Sequence, residues 1–197
     1  MHSTLVRTAI VPLAALTLAG CVSFGGEAPP SLISLTADLS APAGSGATGT
    51  AEDALTVLEP NAPARLAVTR VPVQVDDATV AYLKDAVWVE KPTRLFRRLL
   101  SETISSKTGR VVLDGLDPTF PTSDKVRGTL VEFGYDARSS SVIVRFDAIR
   151  ENADDSITTR RFESIVPGVE AEVGPVGDAL NRAANDVAGQ VADWLGE

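Results

Sequence analysis

Apolar positions recur along this chain with two different periods, and each period predicts its own kind of element. From Val176 onward, Leu180, Ala183, Val187, Val191 and Trp194 fall at helical spacing, the mark of a helix with one buried stripe. Asn181, Arg182, Asn185, Asp186 and Asp193 occupy its polar side. A second helix is predicted from Pro92, a residue suited to a first helical position, to about Ser106. Leu95, Phe96, Leu99, Leu100, Thr103 and Ile104 make its apolar face, and Gly109 suits its stop. Between the two helices the period drops to two. Val131, Phe133 and Tyr135 share one face of a strand over 126–137, and Val142, Val144, Phe146 and Ala148 share a face of the next. A third strand runs from about Ser156 to Val166. Ser139-Ser140-Ser141 and Asp154-Asp155 supply the turns. Glu132, Arg145, Asp147, Arg161 and Glu163 fall on the opposite faces, which predicts a sheet with one wet side.

The weaker patterns add shorter pieces. Residues 32–39 read as a short strand, and 66–75 as a strand with Pro72 at an edge or bulge. Residues 80–83, 86–89 and 110–113 read as further extended segments, the last followed by a loop holding Pro118 and Pro121. The stretch 41–64 opens on low-complexity sequence (APAGSGATGTAED) and is expected to be a mobile loop, with the compact region starting near Arg65. These elements predict one layered α+β domain, within the wider α/β class. Its sheet is mixed and largely antiparallel, with two amphipathic helices packed on it.

The first twenty-one residues follow neither period. Arg7 precedes the apolar run 8–18, which has signal-peptide length and is too short to span a bilayer. The run ends in Leu18-Ala19-Gly20-Cys21, which resembles the bacterial lipobox, where the cysteine is lipidated and becomes the mature first residue. The expected organisation is a signal peptide over 1–20, a lipidated Cys21 with a Gly/Pro tether over 21–31, and a folded domain over 32–197. Val22 stands where an aspartate would favour retention in the inner membrane. The expected location is therefore the outer membrane, with the domain in the periplasm.

Composition narrows the chemistry. The 197 residues carry 18 Lys+Arg against 26 Asp+Glu, a formal net charge of -8. Cleavage before Cys21 removes one arginine and no acid, taking that charge to -9. An acidic chain without a basic tract argues against nucleic acid as a partner. Cleavage also removes His2, the one histidine, and acylation consumes the one cysteine. No histidine base, free thiol or His/Cys zinc set then remains. The mature chain has no S-x-x-K, G-x-S-x-G, Walker A or G-x-G-x-x-G motif, and Gly44-Ser45-Gly46 reads as linker. No catalytic residue, cofactor or metal is expected. Asp114, Asp117, Asp154 and Asp155 lack the spacing of a calcium loop and read as turn acids.

Arg94, Arg97 and Arg98 cluster on the first predicted helix. They are candidate contacts to phosphates or to an acidic partner, because guanidinium forks match such groups. The alternative is a solvated face pairing with Glu90 and Glu102. Trp88 reads as core rather than as a recognition aromatic, and Trp194 with Leu195 as a packed terminus rather than a docking hook.

Taken together, these features resemble a known family. They are the lipobox, a short first strand at 32–35, the Val-rich strand over 66–75 with its proline, and Trp88 ahead of Leu95 and Leu99. The three-strand meander and the terminal helix complete the pattern. It resembles the ABC-type transport auxiliary lipoproteins, which include the small lipoprotein partner of the paraquat-inducible intermembrane transport system. Residues 81–100 (AYLKDAVWVEKPTRLFRRLL) and 179–195 (ALNRAANDVAGQVADWL) carry most of the resemblance, which covers nearly the whole mature chain. The short spacing between Val75 and Trp88 departs from it, since many members have a longer insert there. The resemblance implies a non-enzymatic accessory role beside an ABC transport system. Its partner would be the periplasmic mammalian-cell-entry (MCE) domain protein, with its permease and ATPase, in moving phospholipids or other hydrophobic molecules between membranes. The alternative is a structural or assembly-associated envelope lipoprotein with no transport role.

Overall fold

The computed structural model describes residues 31–114, 122 and 124–196. The lipobox residues Leu18, Ala19, Gly20 and Cys21 lie outside the described residues, as do Asp117, Pro118 and Pro121. Seven strands and two helices follow one another: β1 (Leu55–Val57), β2 (Arg70–Gln74), β3 (Val80–Val87), α1 (Pro92–Thr108), β4 (Val112–Asp114), β5 (Asp124–Asp136), β6 (Ser141–Glu151), β7 (Ile157–Val166) and α2 (Val173–Gly196). All seven strands form one mixed sheet, and the two helices share a single core with it. This is the layered α+β domain that the periodicity predicts.

The long β5 is the spine of the sheet. β6 runs antiparallel beside it over its full length, and β7 runs antiparallel beside β6. The other edge of β5 is shared between two parallel neighbours. β1 lies at one end, with Leu55 opposite Asp124, and β2 at the other, with Val73 opposite Tyr135. β4 and β3 extend the sheet beyond them. β3 and β7 therefore form opposite edges.

The core is aromatic at its centre despite the low aromatic content of the chain. Trp88, Phe96, Phe133 and Phe146 are fully buried. Phe96 meets Phe133 and Phe146 edge-on, at centroid distances of 6.1 and 5.3 Å, and Trp88 lies 5.4 Å from Phe133. Such tilted and edge-on pairs add to simple area burial. Gly128 makes room for one of them: a Cβ there would come within 2.1 Å of the Asp147 carbonyl and 2.8 Å of the Phe146 ring. Helix α1 starts on Pro92, as expected. It ends on Gly109, whose left-handed φ of 70° lets its N–H reach the Ser105 carbonyl. Trp88 and Leu195 are buried, and Trp194 packs 5.6 Å from Phe162. Among the described residues no helix is long and apolar enough to cross a membrane.

Several expectations are corrected. The stretch 41–64 is not a loop throughout, because it contains β1, whose Leu55 and Val57 are fully buried in the sheet. The compact region thus begins well before Arg65. A three-residue strand between parallel neighbours has no alternation to reveal it. Residues 32–39 do not form a strand; Ile33 alone pairs, by a parallel bridge to Trp88. The segment 66–75 splits into a short 3-10 turn at Ala64–Leu66 and β2. The pieces at 80–83 and 86–89 are mostly one strand, β3, bent where Asp85 takes a φ of 59°. Val131 does not share the face of Phe133 and Tyr135, because β5 bulges between Leu130 and Glu132. Val126 and Leu130 face the core before the bulge, and Phe133 and Tyr135 after it.

Candidate functional site

The three arginines of α1 do not form one surface. Helical geometry puts Arg94 and Arg98, four residues apart, on the same side. Both are exposed, and Arg94 lies 3.7 Å from Glu59 while Arg98 pairs with Glu90. Arg97 lies on the flank of that side, three residues on from Arg94, yet it is buried, at 6% exposure. It cannot reach an external phosphate or partner, so the candidate contact set shrinks to Arg94 and Arg98. Glu102 does not pair with this group; it accepts the Ala41 N–H at 2.8 Å.

The outer face of the sheet, away from the helices, is held by charge. Arg65 reaches Glu132 at 3.0 Å, and Arg145 bridges Glu132 on β5 to Glu163 on β7. Asp147 accepts two bonds from Arg161, at 2.6 and 2.7 Å. Those bonds hold the Asp147 carboxyl below the ordinary carboxylate range and raise Arg161 in return. Further along, hydrogen bonds from Arg138 lower Asp136 in the same way. Between these groups and the β2–β3 hairpin runs an open groove of about 540 Å³, lined in part by Arg65, Gln74, Glu132, Tyr135 and Arg138. Its charges are already matched to one another, which leaves a ligand little to neutralise.

The wet edge of this face is β7. Among the described residues its one strand partner is β6, and its second edge pairs with no other described strand. Ile157 and Ile165 stand exposed on it, at 61% and 50%, flanking the charged stretch Arg160, Arg161 and Glu163. Charges on an edge strand discourage indiscriminate pairing with other sheets.

A second feature escaped the sequence reading. Asn181 and Asn185, assigned there to the polar side of the last helix, clamp the N-terminal segment instead. Asn181 Oδ1 accepts the Thr36 N–H at 2.9 Å, and Asn185 Oδ1 accepts the Asp38 N–H at 2.8 Å. Asn185 Nδ2 donates to the Thr36 carbonyl, and also to the Asn181 carbonyl, each at 2.9 Å. The two amides replace the strand partner that 34–38 lacks, and strap the start of the domain across α2. Asparagines four residues apart inside a helix are poor helix formers, and that was the available signal.

The one histidine and the one cysteine, His2 and Cys21, lie outside the described residues. Among the described residues no group of three or more His, Cys, Asp or Glu side chains could hold a metal ion. Asp154 accepts from the Ser156 hydroxyl and N–H, at 2.6 and 3.0 Å, which lowers its carboxyl and makes it a turn acid.

Two solved structures share this fold. One, an uncharacterised protein, superposes with a TM-score of 0.64 at 17% identity, covering 73% of this chain and 92% of its own. The other is a Xanthomonas campestris protein of the DUF330 family model. It superposes with a TM-score of 0.70 at 14% identity, covering 84% of this chain and 94% of its own. At such identities the likeness establishes the fold. A search of curated protein sequences finds no significant match. The family model of the ABC-type transport auxiliary lipoprotein component, in contrast, matches residues 37–192. That span runs from the strap through the sheet to the last turn of α2, and the chain belongs to this family of transport auxiliary lipoproteins.

Proposed function

We propose that this protein is an outer-membrane-anchored docking subunit of an ABC transport system. It receives the periplasmic MCE-domain protein that moves phospholipids or other hydrophobic molecules between membranes. The family match over residues 37–192 carries this reading. Lipidation at Cys21 supplies the anchor, and Val22 directs it to the outer membrane. The exposed edge of β7, with Ile157 and Ile165, suits a partner that adds a strand and seats two side chains. The self-matched charges of the outer face suit a scaffold, and no catalytic role is assigned.

The test is purification of the tagged, lipidated protein from detergent-solubilised envelopes, followed by mass spectrometry. Recovery of an MCE-domain protein with its permease and ATPase is expected. Recovery of porins or assembly factors in their place would support a structural envelope lipoprotein. The anchor is tested separately by Cys21→Ala, which should release the protein from the outer-membrane fraction. Retention there would overturn the lipobox assignment.

A further inference from the structure

We infer that the corner formed by Leu32, Val68 and Val89 rests on the phospholipid surface to which the chain is anchored, turning β7 away from the membrane. This rests on the lipid-anchor reading given above.

The corner is put together by backbone pairing. Ile33 is bonded on both sides into the end of β3: its N–H donates to Val87 O at 2.8 Å, and its carbonyl accepts Val89 N–H at 2.9 Å. On the other side of that strand, Trp88 N–H donates to Thr69 O at 2.9 Å. Three short segments therefore lie side by side, with Ile33 and Trp88 turned into the core. Their neighbours Leu32, Val68 and Val89 are left out of it, at 52%, 38% and 46% exposure. Each is an aliphatic residue left out of the core at a cost in apolar exposure, and the three lie on adjoining segments.

Two observations select lipid as the occupant. The first is position. Leu32 follows directly on the tether, and the ten residues 22–31 after Cys21 span at most about 35 Å when extended. The corner is therefore confined to the neighbourhood of the bilayer surface. A tether this short makes the contact intramolecular, at an effective concentration on the order of mM. A small apolar patch with weak intrinsic affinity is then enough. The second is charge. Arg70, paired across the ladder with Val87 and with its guanidinium 4.5 Å from the Tyr82 ring centroid, and Lys91, two residues beyond Val89, are both exposed on the segments that form the corner. They present positive charge toward anionic headgroups from a protein whose overall charge is strongly negative. Because β3 and β7 are opposite edges of the sheet, seating this corner leaves the β7 edge pointing into the periplasm.

Acylation of Cys21 makes an introduced cysteine the single thiol, which gives a direct test. Val89→Cys and Ile165→Cys are each labelled with an environment-sensitive fluorophore in the full-length lipidated protein. The protein is reconstituted in vesicles of phosphatidylethanolamine and phosphatidylglycerol, with and without brominated acyl chains. Flotation with the vesicles is scored first, and quenching second. The Val89 label should be quenched several-fold more than the Ile165 label. A protein that floats but shows equal quenching at both sites, or none at Val89, overturns the inference and leaves the anchor standing. A protein that does not float overturns both. Shielding of the Val89 label by solubilised envelope proteins and not by lipid would assign the corner to a protein and overturn the inference as well.

Discussion

The two faces of the sheet are stabilised by different means. On the helix side, Phe96 of α1 packs with Trp88, Phe133 and Phe146 with almost no exposure. On the outer side, the same strands are cross-linked by Arg65–Glu132, Arg145–Glu163 and Asp147–Arg161, all partly open to solvent. Buried apolar area stabilises by about 25 cal/mol per Å², whereas an exposed ion pair contributes only about 0–1 kcal/mol. The helix side therefore holds the fold, and the outer side can change its side chains at small cost. That asymmetry leaves the outer face and its β7 edge free to be shaped by a partner.

The largest effect should come from emptying the apolar side. Phe146→Ala removes a ring that touches Phe96 and covers Gly128, and should cost ~3–5 kcal/mol. Denaturant unfolding would show it as a lower midpoint at unchanged slope; a cost below ~1 kcal/mol would break the asymmetry. Asn185→Ala comes next, at ~1–3 kcal/mol, because it strands backbone groups of the strap. Hydrogen exchange should quicken at Thr36 and Asp38 while the amides of α2 stay protected. Uniform loss of protection would mean that the strap is part of the cooperative core.

On the outer side, Asp147→Asn should cost ~0.2–1 kcal/mol. Folding lowers the Asp147 pKa, so its contribution is present above the unfolded value of about 3.9 and lost as pH falls through the folded one. The stability gap between wild type and variant should be full at neutral pH and close in acid. A gap that widened in acid would contradict the pairing with Arg161. Smallest of all, Ile165→Lys should stay within ~0.5 kcal/mol of wild type. It should nonetheless abolish recovery of the MCE-domain protein. Unchanged recovery would remove β7 from the docking surface.

The long periodic elements were legible because each carries its own evidence. In α2 the stripe from Val176 to Leu195 is buried by one sheet face, so sequence spacing and burial coincide. The meander β5–β6–β7 has one wet side, which forces alternation. β1 was invisible because it is three residues long and has strands on both sides. Arg97 was misread because helical spacing puts it beside Arg94 and Arg98, and only the packing around α1 covers it while leaving them exposed. The bulge at Val131 also left no local mark, since one extra residue shifts the face without changing composition.

By itself, then, the sequence determined the class of fold, the two helices, the three-strand meander and the family pattern they make together. These are local properties, set by period, capping and motif. The tertiary structure alone decided which strand lies beside which, which arginines remain outside, and what the asparagines of α2 bind. It also brought Leu32, Val68 and Val89 to one corner. Those are contacts between residues far apart in the chain, and their partners are chosen by the packing of the whole sheet against its helices rather than by any segment alone.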